Sequence, residues 1–342
     1  MKVISIFGCS FDDLKEISVK LGLRSFVAKQ LLEWVYQKDV LAFSEMTSLS
    51  KVNQSKIANA VSTSLFLDSQ VVPSSDDLAK KVICTLEDRK KVEYVILKEK
   101  EYYTLCVSSQ VGCPVDCKFC VTGVAGYKRN LTAAEIVMQI VHARKIGYDI
   151  KNIVFMGMGE PLLNYDNVFK AIDILTAEWG YNMSKRNITV STSGYLTNIN
   201  RLIAEKRYIN LAFSVGSADP QTRIKIMPIE KRNPILYVAR KLYQYLKLHN
   251  RQITLEYTLL NNVNDSDYEI KSLINLAKYL DAKINLINLN PHSKLPFEPV
   301  SSKKILMIKN KLKYANTKVT VRFKKGQDIA AACGQLGESI MK

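Results

Sequence analysis

The stretch Leu105-Cys106-Val107-Ser108-Ser109-Gln110-Val111-Gly112-Cys113-Pro114-Val115-Asp116-Cys117-Lys118-Phe119-Cys120 runs from a strand-like apolar segment into three cysteines spaced C-x3-C-x2-C. That spacing curls a loop so that three thiolates converge on one point. A structural zinc site takes a fourth ligand, usually from a second C-x2-C pair, and no such pair follows nearby. Three thiolates suit a four-iron cluster that keeps one iron open to a small molecule and reaches a potential low enough for difficult reductions. Zinc completed by Cys106 is the competing assignment. The chain has seven cysteines, an odd number, and its start, MKVISIFGCSFDDLK, turns acidic too early for a secretory leader. Both features argue against a structural disulfide framework and for metal or redox chemistry. No window approaches the ~18 apolar residues of a membrane span. The expectation is a cytoplasmic protein with no membrane partner.

Outward from this stretch, strands alternate with helices. Strand candidates are Leu105 to Ser108, Ile153 to Met156, Ile188 to Ser191, Asn210 to Ser214, Ile253 to Tyr257, Ile284 to Leu289 and Val319 to Phe323. Helix candidates between them include Ala133 to Lys145, opened by the capping box Thr132-Ala-Ala-Glu135, and Val168 to Glu178. Such alternation builds an α/β fold with a parallel sheet and crossover helices. Ligands then bind at the carboxyl ends of the strands. Upstream the period changes. Residues 64–72, 80–86, 92–98 and 103–109 read as strands separated by polar turns. Phe26, Val27, Leu31, Trp34 and Val35, and then Val52, Ile57, Ala60 and Val61, recur at helical spacing. The expected organisation is a small helical domain over 1–62, a β-rich connecting segment over 63–100 and the partial barrel over 101–342. Core packing suffices to explain Trp34.

With 342 residues and 47% hydrophobic content the chain is long enough for two or three units of ordinary globular composition. Lys plus Arg number 49 against 32 Asp plus Glu, a net +17 that attracts polyanions and makes nucleic acid the leading partner. Residues 1–100 carry only +2 of this excess, so the second part holds the basic surface. Lys303 to Lys325 contains nine basic residues, Arg322 and Lys324 among them, and no acid. It is the phosphate-contact candidate, against the plainer reading of a solvated lysine-rich face.

After the second parallel strand, Gly157-Met158-Gly159-Glu160-Pro161 pairs glycines that admit close approach with a carboxylate that can accept from an ammonium. A dinucleotide fingerprint is excluded because its third glycine is Leu162. His142, His249 and His292 have no recognisable partner and read as packing or surface residues. Cys9 and Cys84 read as small hydrophobes.

The cysteine motif resembles that of the radical S-adenosylmethionine (SAM) superfamily. The run 105–113, the run Met156-Gly157-Met158-Gly159-Glu160-Pro161-Leu162 and the run Ala331-Ala332-Cys333-Gly334-Gln335-Leu336 resemble the RlmN/Cfr family of RNA adenine methyltransferases over nearly the whole chain. The resemblance implies a partial (βα)6 radical-SAM barrel and an N-terminal helical domain that assists RNA recognition. It implies a [4Fe-4S] cluster on Cys113, Cys117 and Cys120, two SAM molecules per turnover and an external electron donor. Gly159, Glu160, Ser191, Ser214 and Asn290 match positions that contact SAM. Gly216 stands where the family usually has histidine, with Ser217 or Asp219 as candidates to compensate. Cys333 matches the methyl carrier, Cys106 the cysteine that resolves the RNA adduct by forming a disulfide, and Glu93 the base. The implied substrates are C2 of an adenine in 23S rRNA and in tRNA. Pro161 and Ser193 favour this branch over the C8-directed Cfr type, which tends to carry Ala and Ile there. A cluster-bearing RNA binder without catalysis is the reading from another class.

Overall fold

The computed structural model describes residues 3–248, 251–322 and 325–341. His249, Phe323 and Lys324 lie outside the described residues. Ten strands form one sheet in chain order: β1 (Asp68–Pro73), β2 (Ala79–Thr85), β3 (Lys91–Lys98), β4 (Tyr103–Cys106), β5 (Ile150–Phe155), β6 (Ile188–Thr192), β7 (Asn210–Ser214), β8 (Thr254–Leu259), β9 (Lys283–Asn288) and β10 (Val319–Val321). The strands β1 to β4 pair antiparallel, and from β4 onward every pairing is parallel. Each parallel step moves one strand further in the same direction. Right-handed crossovers therefore place their helices on one face and leave the other to curve around an interior.

Six helical crossovers join the seven parallel strands: Ala133–Lys145, Tyr165–Thr176, Leu196–Ala204, the pair Pro220–Ile226 and Ile235–Leu248, Asp267–Tyr279, and Ser302–Tyr314. This is the expected α/β partial barrel. Its parallel strands bury Ile153, Phe155, Ile188, Val190, Leu211, Phe213, Leu255, Tyr257, Ile284 and Leu286, the near-continuous apolar pattern of strands covered on both sides. The capping box is formed: Thr132 Oγ1 accepts from Glu135 N at 3.2 Å, and Glu135 Oε2 accepts from Thr132 N at 2.8 Å. The next helix spans Tyr165–Thr176 rather than 168–178, because the chain closes after Thr176 in a turn in which Gly180 N donates to Ala177 O.

The β-rich segment is the antiparallel continuation of the same sheet, joined to the barrel where Val95 pairs with Cys106. The helices Phe11–Lys20, Phe26–Leu32 and Lys51–Ala58 form the N-terminal module. Val61, expected in the last of these, instead pairs with Ile4 in a short parallel ladder. Trp34 packs on the core and donates to Ser48 Oγ at 2.8 Å. The module docks on the barrel through Asp39, which takes Arg144 Nε at 3.1 Å and Nη2 at 2.9 Å. His142 is a packing residue, with Nδ1 2.6 Å from Tyr94 Oη and Nε2 3.2 Å from Ser69 Oγ. Among the described residues no helix is long and apolar enough to cross a membrane.

The C-terminal loop, residues 325–341, returns across β1 to β3. Ser75 N donates to Asp328 Oδ2 at 2.7 Å, Lys325 Nζ to Lys98 O at 2.6 Å, and Lys81 Nζ to Ala330 O at 3.5 Å. These bonds close the loop over the carboxyl ends of the barrel strands.

Candidate active site

Cys113, Cys117 and Cys120 line one cavity at the carboxyl ends of the strands, facing Gly159, Glu160, Ser191, Ser193, Ser214, Gly216, Glu256, Arg322 and Cys333. The turn between the triad cysteines is tied down by Lys118 N donating to Ile226 O at 2.9 Å and Cys120 N to Cys117 O at 3.1 Å. Among the described residues no group of three or more His, Cys, Asp or Glu side chains is arranged to hold a single metal ion. Cys106, the alternative fourth zinc ligand, lies in a neighbouring cavity with Asn290, Ala331, Ala332 and Leu336. Cys333, Arg322, Met156 and Ile287 line both.

Two of the signature runs are sewn together. Ser108 N donates to Gln139 Oε1 at 2.8 Å, and Gln139 Nε2 returns to Ser108 O at 2.9 Å. Met158 N donates to Ser108 Oγ at 2.8 Å and Glu160 N to Gln110 Oε1 at 2.9 Å. Gly159 has φ +101°, and a Cβ there would sit 2.6 Å from Gln110 Cβ, so only glycine lets the two loops meet. Glu160 is held rigidly: Oε2 accepts from Ser193 N and Oγ, both at 2.8 Å, and Oε1 from Leu162 N at 3.1 Å. Burial raises its pKa and the Ser193 bonds oppose that rise. Ser191 Oγ and Ser214 Oγ lie 3.2 Å apart across neighbouring strand ends.

Gly216 also lines this cavity, at φ +67°. A Cβ at 216 would fall 2.3 Å from Met227 Sδ, so Met227 fills the direction a side chain would take. Ser217 and Asp219, the candidates to compensate for the absent histidine, do not line this cavity. Ser217 Oγ donates to buried Glu269 Oε2 at 2.6 Å, and Asp219 Oδ2 caps the next helix by accepting from Thr222 N at 2.9 Å. Beneath these loops Arg223, fully buried, spans three elements: Nε donates to Val215 O at 2.9 Å, Nη2 to Ser193 O at 2.7 Å and Nη1 to Glu230 Oε2 at 2.5 Å.

Asn290 is placed in the second cavity rather than against the triad. Its Nδ2 donates to Cys333 O at 3.0 Å, and its buried Oδ1 has no hydrogen-bond partner among the described residues. Glu93 lines neither cavity. It is 1% exposed beneath the C-terminal loop, with Oε2 accepting from Gly337 N and Oε1 from Ser339 N, both at 3.0 Å. The geometry makes it a loop anchor. His292, bonded to Glu338 Oε1 at 2.7 Å, and Gln335, donating to Pro291 O at 3.1 Å, fasten the same loop.

The basic run is only partly a surface. Lys304 pairs with Asp265, Lys311 with Asp267 at 2.5 Å and Lys325 with Glu99 at 3.1 Å, while Arg322 points into the site. Lys303, Lys313 and Lys318 are exposed. Arg322 and Glu256 are the site residues that sequence reasoning missed. Glu256 sits on β8 and Arg322 just after β10, both lining the triad cavity, and that placement was the only signal.

The triad fits an iron-sulfur cluster by the chemistry of its donors. Burial pushes the thiols of Cys113, Cys117 and Cys120 upward, and repulsion from the neighbouring cysteines adds to this. Three thiolates in such a place need a bound cationic centre to be stable. All seven cysteines are free, so the disulfide implied between Cys106 and Cys333 is not formed in this state. Burial pushes Cys106 up to about 12, with Cys333 adding and Arg322 opposing.

Comparison with known proteins agrees with this architecture. Residues 107–274 match the Radical SAM superfamily and residues 4–62 the ribosomal RNA large subunit methyltransferase N-terminal domain. A dual-specificity RNA methyltransferase RlmN from Desulfotalea psychrophila is 39% identical, covering 97% of this chain and 94% of its own. A probable dual-specificity RNA methyltransferase RlmN from Dictyoglomus turgidum is 38% identical over 99% of this chain and 98% of its own. The crystal structure of a radical SAM methyltransferase from Sphaerobacter thermophilus superposes with a TM-score of 0.93 at 35% identity, covering 97% of this chain and 98% of that one. The chain belongs to the RlmN family of radical S-adenosylmethionine RNA methyltransferases.

Proposed function

We propose that this enzyme methylates C2 of an adenine in 23S rRNA and in tRNA, in the cytoplasm, through a methyl group carried on Cys333. The observation that supports this most directly is the position of Cys333 on the wall common to two cavities, one holding the triad and the other Cys106. Cys113, Cys117 and Cys120 would hold a [4Fe-4S] cluster, which with an external electron donor would supply the reductive cleavage of SAM, and each turnover would use two SAM molecules. Glu160, Ser191 and Ser214 present acceptors and hydroxyls to SAM from three successive strand ends, and Met227 and Phe119 give the same cavity an apolar lining. Asn290 holds the Cys333 carbonyl and so fixes where the carrier sulfur stands.

Cys333 accepts the methyl group as a nucleophile with S-adenosylhomocysteine as the leaving group, and that methyl would give up one hydrogen atom, to the fragment that reductive cleavage of a second SAM supplies, before its carbon bonds to the flipped adenine. Cys106 releases the product by attacking the Cys333 sulfur. The sulfur–carbon bond breaks with its electron pair on the methylene carbon, which takes up a proton, and a disulfide remains. Glu93 can serve as the base for the ring carbon only when the loop lifts from it, since Gly337 and Ser339 occupy its oxygens. The N-terminal module and the exposed lysines near residues 303–318 are the proposed RNA contacts.

Mass spectrometry of rRNA and tRNA digested after reaction tests the proposal. It is supported by 2-methyladenosine and overturned by 8-methyladenosine. The C2 assignment draws on Ser193, whose hydroxyl and amide both bond Glu160, an arrangement that isoleucine would halve. A non-catalytic RNA binder would have no use for Cys106 and Cys333 lining one cavity.

A further inference from the structure

Among the described residues Arg322 is the one cationic side chain that lines both cavities. Its backbone N donates to Leu286 O at 2.9 Å, which fixes it directly after β10, and its Nη1 lies 3.7 Å from Met156 Sδ on the wall the cavities share. Cys333 of the C-terminal loop lines both cavities with it, Glu256 of β8 and the triad line the first, and Cys106 of β4 and Glu99 after β3 line the second. Of these, Cys333, Glu256, Cys106 and Glu99 are the groups whose charge acts on it. Glu99 is already matched by Lys325 Nζ at 3.1 Å. Glu256 takes Asn285 Nδ2 at 2.8 Å, and the cations that act on it against the upward push of burial are Arg322 and, more weakly, Lys283. The guanidinium is therefore shared among one buried carboxylate and two thiols, and these are the two thiols that the reaction uses.

We propose that Arg322 is a positioning residue common to both thiol steps: it holds the Cys333 thiolate for methyl acceptance and later the Cys106 thiolate, with Glu256 as its partner whenever neither thiol is charged. This rests on the carrier function of Cys333 given above. In methyl acceptance a lone pair of the thiolate forms the new sulfur–carbon bond. The sulfonium–methyl bond breaks with its pair on the departing S-adenosylhomocysteine, and both reacting charges vanish. Arg322 then faces a neutral thioether, and Glu256 is the remaining anion able to bind it. This frees the cation to serve Cys106 when that thiol ionises. A guanidinium suits the exchange because its planar fork offers several donors and stays charged when buried.

The test uses the full-length holoenzyme without RNA or SAM, with the rate of iodoacetamide labelling of Cys333 read by peptide mass spectrometry at one fixed neutral pH. Cys84, fully buried, serves as the unlabelled control. Arg322→Gln is expected to slow Cys333 labelling roughly tenfold, because the reactive thiolate loses its neighbouring cation. Arg322→Lys should restore most of the rate because it keeps the charge. Glu256→Gln should move the rate the other way by releasing Arg322 to the thiols, a result that simple loss of folding cannot mimic. Unchanged labelling in Arg322→Gln, failure of Arg322→Lys to rescue, or slower labelling in Glu256→Gln would each overturn the proposal. Methylation of Cys333 by SAM, measured separately on the parent enzyme, reports on the carrier function itself, so the two ideas fail in distinguishable ways.

Discussion

Val121 N donates to Gly334 O at 2.7 Å, joining the residue after the last triad cysteine to the residue after the carrier cysteine. Thr122 Oγ1 adds a second rung, donating to Leu336 O at 2.6 Å. The segment that holds the triad thus also sets the height of the carrier loop, across more than two hundred residues of sequence. Replacing Thr122 by Val leaves the Leu336 carbonyl buried without its donor, a cost of about 1–3 kcal/mol confined to the loop. Hydrogen exchange of residues 331–341 should accelerate accordingly while β5 to β9 stay protected. Unchanged loop protection would show that the rung does not hold the loop.

Glu93 is expected to behave as an anchor before it can behave as a base. Glu93→Ala removes the acceptor for two loop amides, and bonds to a charged group are worth about 1.5–3 kcal/mol each. The loop should become a site of limited proteolysis even without substrate. A variant whose loop resists protease as well as the parent would return Glu93 to a purely chemical role.

The Arg223–Glu230 pair should be costly to break. Removing one partner strands the other in the interior, with a loss of about 3–5 kcal/mol expected for Arg223→Met. Glu230→Gln in the same chain should recover part of that loss, as read from denaturant midpoints. Strict additivity of the two substitutions would argue that they do not interact.

The acid limb of stability should carry a signature of His142. Burial lowers its pKa below the ordinary 6.5, so the unfolded chain binds the proton more readily than the folded one. Its contribution is present above that ordinary value and is lost as pH falls through the folded pKa. The thermal midpoint of the parent should therefore drop on acidification, and His142→Gln should flatten that part of the curve. An identical slope in both proteins would remove His142 from the explanation.

The barrel was legible in advance because its signals are local. The apolar strands and the capping box at Thr132 each lie within a dozen residues and appear where expected, and the equally local C-x3-C-x2-C run lines one cavity. What escaped depends on contacts distant in sequence. Nothing near Glu93 reveals that Gly337 and Ser339 will occupy its oxygens, and nothing near Asn290 that it will hold Cys333 rather than face the triad. Arg322 read as one more residue of a basic run because the short strand expected over Val319 to Phe323 alternates with no clear apolar face, and in the structure β10 ends at Val321. Gly216 was noticed as a departure, but the packing of Met227 behind it could be seen only in three dimensions.

The most direct measurement is of the carrier itself. The holoenzyme is incubated anaerobically with SAM, and the peptide containing Cys333 is weighed. The expected result is a single methyl group on Cys333 and none on Cys106. A methyl group on Cys106, or an unmodified Cys333 in enzyme whose cluster is intact, would contradict the methyl-carrier mechanism.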